Sequence, residues 1–473
     1  MEPTRDDDEE VSTSRVGSSS SREGGHGSDT FIIAVPDAPR DNLPFIDAHC
    51  HLFNILDVPL YESLSGKIKQ GTIQRLLLAF AAGPAVLIGA PEQLLLKYHN
   101  FITFFENDIR DNIHWLEKQL NLAFKDSLVK AYFGASVNRL VMTPLAMDFD
   151  TNLDGSDLGS ERKRCIHQIE RLFSAIQQAQ LVPGDSADTR LEIYPFMGFA
   201  LNKLDHHPGC LQDLKDWWAS NGLTAAQRGE GFSKKVQPGK AIGIKLYPPL
   251  GFNPCPERLP NAYLEFYSWC VDMDIPLAVH CQESSFCVTP QQNAQANHCT
   301  HPRNWERLFS NHPHLTPLRI NFGHFGGESQ IAKLVTYGDN NTPIAIDPNS
   351  WSYSIIRLLK NHPNTYADLA AFDYSQYDCL NSLGMLLAGY ADTLPDAQDL
   401  SAVLQEKLLW GTDVPMIIST DSFVENGVPS YAKLMKSFIL SNPDASQQGV
   451  YKKICQNIAR TNPSHFLFGQ TVG

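Results

Sequence analysis

The chain has no apolar run long enough to cross a membrane. The longest uncharged one, LLLAFAAGPAVLIGAP at positions 76–91, falls short of the roughly 18–20 residues a span requires, and Gly83-Pro84 interrupts it. It is expected to fold back as a buried helical hairpin, a membrane-contact or dimer surface being the other reading. A basic surplus is also missing. Lys and Arg total 38 against 52 Asp and Glu, for a formal net charge of -14, which argues against a nucleic-acid backbone or an anionic membrane as the main partner. The ten cysteines include no C-x-x-C pair and are spread over 473 residues, so they form neither a disulfide framework nor an obvious zinc knuckle. His298, Cys299 and His301 in NHCTH, with Cys287 nearby, lack the tight spacing of a structural zinc site and read as loop. No internal repeat is evident.

Apolar residues are nearly absent from the start of the chain. RDDDEE at positions 5–10 is followed by STSRVGSSSSREGGHGSD, too polar to offset the entropy of ordering it, so residues 1–30 read as a disordered acidic Ser/Gly-rich tail. With no apolar core for a secretory signal, and acids that a mitochondrial transit peptide avoids, the protein is expected to be cytoplasmic with reduced thiols. Residues 31–473 read as one domain.

That domain contains eight short apolar runs, each ended by Gly, Pro or a polar cluster. They are PFIDAHCHL (44–52), VNRLVMTPLAM (137–147), LEIYPFMGFA (191–200), AIGIKLYPP (241–249), IPLAVHC (275–281), LRINFGHFGG (318–327), TYADLAAF (365–372) and KLLWGTDVP (407–415). Helical patterns separate them. In SERKRCIHQIERLFSAIQQAQ, Ser160 is placed to cap a helix whose stripe is Ile166, Ile169, Phe173 and Ile176, and RNWERLFSNH, WSYSIIRLLKNHPN and SLGMLLAGYADTL precede the sixth, seventh and eighth runs. Near-continuous apolar strands alternating with helices imply a parallel sheet covered on its faces, and eight such units are what closes a (β/α)8 barrel. Two connections exceed barrel loops: a helical insertion at 53–136 after the first strand, and another at 201–240 after the third. Both would emerge on the C-terminal face, where active sites sit.

Ionisable residues interrupt the runs near those same C-terminal ends. The first run carries His49 and His51, the fourth Lys245, the fifth His280, the sixth His324 and the eighth Asp413. A His-x-His pair alone means little. With 16 histidines in the chain, one arises by chance about half the time, and His312 with His314 makes a second. A lone strand-end histidine is usually a hydrogen-bonded core residue, Lys245 can snorkel past Tyr247, and Asp413 can cap a turn. Six such groups meeting at one barrel rim are another matter, because each costs several kcal/mol to bury without a partner. Two histidines on one strand face can reach one ion together.

FIDAHCHLF, GIKLYPP, LAVHC, FGHFGG and LLWGTDVP, with the closing CQNIARTNPSHFLFG, resemble the amidohydrolase superfamily, in particular its amidohydrolase-2 group of metal-dependent hydrolases and decarboxylases. The resemblance runs from about residue 44 to the end, without the tail or the first insertion. It implies that His49, His51, His280 and Asp413 bind a divalent metal, most often zinc, with His324 beside it as acid/base or second-metal ligand. Neutral imidazoles and one carboxylate suit such an ion, and Asp413 is placed to take a proton from water and return it to a leaving group. Lys245 is expected to face the substrate with Tyr247, one metal being favoured. The alternative is a carboxylated Lys245 that bridges two metals with His324.

The expected activity is hydrolysis of an amide, ester or lactone of a small organic substrate. The alternative is a non-oxidative decarboxylase of a hydroxylated aromatic or unsaturated carboxylic acid, and a non-catalytic binding barrel is disfavoured by the complete ligand set. Asp47 is a candidate for orienting a metal-binding histidine. Asn253, Gln282, Asp373 and Tyr374 follow strand ends and read equally as loop or packing residues. A homo-oligomer is left open.

Overall fold

A computed structural model of the chain describes residues 43–53, 103–135, 137–148, 164–181, 189–229, 239–283, 290–339, 342–374, 377–420, 422–425, 428–441 and 448–469. The expected tail, the apolar hairpin at 76–91, the Ser160 cap, Cys287 and the first half of the 53–136 insertion lie outside them.

The apolar runs become parallel strands. Among the described residues the strands, in chain order, are β1 (Phe45–Cys50), β2 (Leu140–Pro144), β3 (Leu191–Ile193), β4 (Phe196–Gly198), β5 (Gly243–Leu246), β6 (Leu277–Gln282), β7 (Ile320–Gly326), β8 (Val335–Tyr337), β9 (Pro343–Ile346), β10 (Thr365–Asp368), β11 (Leu408–Leu409), β12 (Val424–Glu425) and β13 (Val428–Pro429). All but β8, β9 and the short antiparallel pair β12–β13 come from the eight runs. They pair in the orders β1-β2-β3 and β4-β5-β6-β7-β10-β11. Every residue of β1, β2, β5, β7 and β10 is buried, as expected when both faces of a parallel sheet are covered.

One apolar run yields two strands, β3 and β4, because Pro195 between them has no N–H to give to the ladder. Tyr194 N donates to Met142 O at 3.0 Å, while Pro195 O accepts from Ile242 N at 2.9 Å. The first half of the run therefore bonds toward β2 and the second toward β5. A parallel bridge between Leu145 and Phe196 spans the same junction. At the other edges, Ala48 N donates to Trp410 O at 2.9 Å and Thr412 N to His49 O at 3.0 Å, which connects β1 with the segment after β11.

The helical patterns hold. Helix Arg164–Leu181 buries Ile169 and Ile176, with Ile166 and Phe173 packed partly against the core. Arg303–Asn311 buries Trp305, Leu308 and Phe309, and Trp351–Asn361 buries Ile355, Ile356, Leu358 and Leu359. Each such side chain contributes about 1.5–3 kcal/mol on burial. The first insertion contains helices Ile109–Ala123 and Ser127–Phe133, the second capped by Asp126 Oδ1, which accepts from Leu128 N at 2.8 Å and Val129 N at 3.2 Å. The second insertion contains Lys203–His206, Gly209–Asn221 and Ala225–Gly229. Among the described residues no helix is long and apolar enough to cross a membrane.

Two features depart from the sequence expectation. An antiparallel hairpin, β8–β9, follows helix Glu328–Leu334 in the sixth unit, its turn closed by Gly338 N donating to Thr342 O at 2.8 Å. The eighth strand is only Leu408–Leu409, since the chain turns out of the ladder at Asp413, whose φ of 61° is left-handed. The closing segment secures both edges. Arg460 Nη2 donates to Leu43 O at 2.7 Å, Ile458 O accepts from Trp410 N at 2.8 Å, and Asn462 Nδ2 donates to Leu408 O at 2.8 Å.

Candidate metal centre

Parallel strands bring their C-terminal ends to one side, so β1, β5, β6, β7 and the turn after β11 deliver His49, His51, Lys245, His280, His324 and Asp413 to one place. All six are buried. The His49 and His324 rings are 4.7 Å apart, His280 and His324 4.5 Å, His49 and His51 5.6 Å, and Tyr247 lies 4.6 Å from His280.

Hydrogen bonds fix which nitrogen of each ring carries the proton. His49 Nδ1 donates to Asp368 Oδ2 at 2.7 Å, and His51 Nδ1 to the Leu145 carbonyl at 2.8 Å. Each ring thereby presents Nε2 as an acceptor. His324 Nδ1 donates to Ala370 O at 3.1 Å, and its Nε2 lies 3.0 Å from His280 Nδ1. A neutral His324 must accept there, so His280 donates. Burial favours the neutral rings. It holds His49 down to about 4 against the pull of Asp368, lowers His324, and with the neighbouring His324 and Lys245 keeps His280 well below its ordinary value.

The donor atoms of His49, His324 and Asp413 all lie within 4.8 Å of one another. His49 Nε2 and Asp413 Oδ1 are buried without a hydrogen-bond partner. Asp413 Oδ1 stands 3.2 Å from His51 Nε2 and 3.6 Å from His49 Nε2. Burial pushes the Asp413 carboxyl up, but His51, His324 and His49 outweigh it and bring it to about 2, so it is ionised at neutral pH. Buried lone pairs of this kind cost free energy unless something binds them. Two imidazoles and a carboxylate are the donor set a borderline divalent ion takes, so these residues fit a metal.

Lys245 Nζ is also buried without a hydrogen-bond partner. Burial pulls its ammonium down to about 8, with Asp368 and Asp413 opposing. Its charge is part of what lowers His49, His280 and His324.

The structure corrects the reading of Asp47. Its carboxylate does not hold a histidine ring. It accepts from His49 N at 3.2 Å, Thr412 N at 3.1 Å, Thr412 Oγ1 at 2.6 Å and the Tyr431 hydroxyl, binding β1 to the turn that carries Asp413. Asp368, at the end of β10, is the carboxylate on the His49 ring, and the sequence reading passed over it. Its signal was the acid at the fourth position of TYADLAAF, charged inside an apolar strand.

The other candidates take loop and packing roles. Asn253 Oδ1 accepts from Cys255 N at 2.9 Å, Asp373 Oδ1 accepts from Ser422 N at 3.2 Å, and Tyr374 stacks on Trp410 with its hydroxyl donating to Leu369 O at 3.3 Å. Gln282, the last residue of β6, packs beside Gly327. Among the described residues His298, Cys299 and His301 form no metal cluster, and neither do His312 and His314.

A family model described as amidohydrolase matches residues 234–426. No curated protein matches the chain. Solved structures similar to it include an amidohydrolase from Burkholderia multivorans with bound zinc, at 9% identity and a TM-score of 0.37, covering 90% of this chain and 100% of that one. A uronate isomerase from Bacillus halodurans follows at 11% identity and 0.37, covering 91% and 94%. An Arabidopsis N6-mAMP deaminase stands at 11% and 0.33, covering 88% and 98%.

Proposed function

Residues 234–426 match a family model described as amidohydrolase, and from that premise we propose that the chain is a metal-dependent hydrolase acting on an amide, ester or lactone of a small organic substrate. The observation that carries this is the meeting of His49, His324 and Asp413 donor atoms within 4.8 Å of one another, all three residues buried.

We read the eight strand units as a closed (β/α)8 barrel. Support comes from the hydrogen bonds at both sheet edges, Ala48 N to Trp410 O and Ala146 N to Phe196 O, the second at 3.0 Å. Active sites of such barrels open at the C-terminal strand ends, where this cluster lies.

A single divalent ion, most simply zinc, would be held by His49, His324 and Asp413, His324 giving up to the ion the lone pair that otherwise accepts from His280, with His51 and His280 adjacent as further ligands. Bound there, it supplies Lewis-acid activation of water at neutral pH. The chain's own groups do the rest. Asp413, ionised and buried, accepts a proton at its carboxylate and returns it to the leaving group. Lys245 as a cation steadies a developing oxyanion or holds a substrate carboxylate, and Tyr247 walls the site beside His280. Buried thiols at Cys50, Cys270, Cys281 and Cys455 accord with a reducing, cytoplasmic setting.

The unpartnered Lys245 ammonium favours a second reading, decarboxylation of a carboxylic acid on the same centre. Metal analysis of the purified protein, with a panel of amides, esters, lactones and hydroxylated aromatic acids assayed for hydrolysis and carbon dioxide release, tests both. Hydrolysis that disappears with the metal supports the proposal. Carbon dioxide release without hydrolysis supports the second reading, and full activity in metal-free protein defeats both.

A further inference from the structure

Asp368 is wholly buried and uses each carboxylate oxygen twice. Oδ2 accepts from His49 Nδ1 at 2.7 Å and Asn321 Nδ2 at 2.6 Å, while Oδ1 accepts from His324 N at 2.9 Å and Ala370 N at 3.0 Å. One side chain on β10 therefore touches the ring of a histidine from β1 and the backbone of a histidine from β7.

The two contacts do different things. An ionised carboxylate only accepts, so Oδ2 requires the proton of His49 on Nδ1 and leaves Nε2 as a lone pair, the atom found buried without a partner 3.6 Å from Asp413 Oδ1. His324 has φ of 66°, a left-handed conformation that costs a non-glycine residue about 1–2 kcal/mol. The bond from its N–H to Oδ1 helps to hold that turn. Asn321 occupies the remaining direction at Oδ2 and keeps the carboxylate from rotating.

We propose that Asp368 is a positioning residue that delivers His49 and His324 together, one oxygen setting the His49 tautomer and the other pinning the His324 backbone. The consequence for metal binding rests on the function proposed above; the tautomer does not.

Nitrogen-15 NMR of histidine-labelled, metal-free protein reads the tautomer directly, with the His49 signal identified by its loss in His49→Asn. Wild type is expected to show His49 protonated on Nδ1. In Asp368→Asn the amide N–H faces Nδ1, the ring is expected to move its proton to Nε2, and zinc affinity measured against a chromophoric chelator should fall tenfold to a hundredfold with the circular dichroism spectrum unchanged. A folded Asp368→Asn with wild-type tautomer and zinc affinity overturns the proposal. So does an Nε2-protonated His49 in wild type, a result that stands even if the variant fails to fold. Wild type that binds no zinc would refute the metal centre, and the tautomer would still decide the role of Asp368.

Discussion

Gly411 backs directly onto His49: a Cβ at position 411 would lie 2.8 Å from the His49 Cβ. Gly323 crowds the same residue from β7, where a Cβ would meet His49 Cε1 at 2.9 Å and Val279 O at 3.2 Å. His49 is packed between β7 and the segment after β11, whose glycines leave it room.

Adding one methyl group there should displace it. Gly411→Ala meets an atom fixed to the β1 backbone and is expected to destabilise the fold by about 1–3 kcal/mol, with weaker zinc binding. Gly323→Ala presses on the ring and should affect zinc affinity more than stability. Thermal denaturation with a zinc titration on each variant checks this; wild-type behaviour in both would mean that His49 has slack.

Part of this arrangement was legible in the sequence, though not the roles of the two glycines. Order and spacing of the apolar runs gave the parallel strands, because burial on both faces writes itself as a continuous apolar string. His49, His51, Lys245, His280, His324 and Asp413 stood out as ionisable groups at strand ends, and the structure places all six together. The pairing among them was not legible. That His324 shares a cluster with His49 and Asp413, on left-handed backbone at 324 and 413, is announced by no local pattern. Asp368 was hidden for a related reason: an acid within a strand is informative only once its partners, more than three hundred residues away for His49, are known. The sequence reading passed over the β8–β9 hairpin, VTYGDNNTPIAI, which lies between two helices.

Metal-free protein should be acid-labile below neutral pH. His49 has its folded pKa depressed from 6.5 to about 4, so the unfolded chain binds the extra proton between those values and stability falls as pH drops through that window. At 1.36 kcal/mol per pH unit this amounts to on the order of 3 kcal/mol from His49, with His280 and His324 acting in the same direction. Chemical denaturation of the chelated protein from pH 7 to pH 4 measures the loss, and His49→Gln should flatten it. A stability that stays level across that range contradicts the assignment.

Lys245 is expected to show itself in substrate binding. Its ammonium is intact below about pH 8 and lost above it, so KM for an anionic substrate should hold steady below pH 8 and climb beyond, while Lys245→Met should give a high KM with little pH dependence. The variant's kcat should change less than its KM if the lysine grips a remote carboxylate. Unchanged KM in Lys245→Met would remove it from the substrate site, and two metal equivalents in wild type falling to one in the variant would point to a carboxylated, bridging lysine.

Asparagine is the instructive replacement at both Asp413 and His324, because both have positive φ, 61° and 66°, and asparagine tolerates the left-handed region better than most residues. The backbone bond from residue 413 N to His49 O at 2.7 Å does not involve the side chain and should survive in the variant. Asp413→Asn therefore removes the proton acceptor while sparing the turn, and kcat is expected to fall at least about 10²-fold with a far smaller change in melting temperature. His324→Asn separates the two possible uses of that ring. As a ligand sharing an ion with His49 and Asp413, its loss should lower zinc affinity and activity together, and excess zinc should restore part of the turnover. As a proton donor to carbon, its loss should abolish carbon dioxide release with metal content unchanged, and no amount of zinc should rescue it. Measuring zinc content and turnover on the same preparation across a zinc titration distinguishes these outcomes, and full activity at wild-type zinc affinity would remove His324 from both roles.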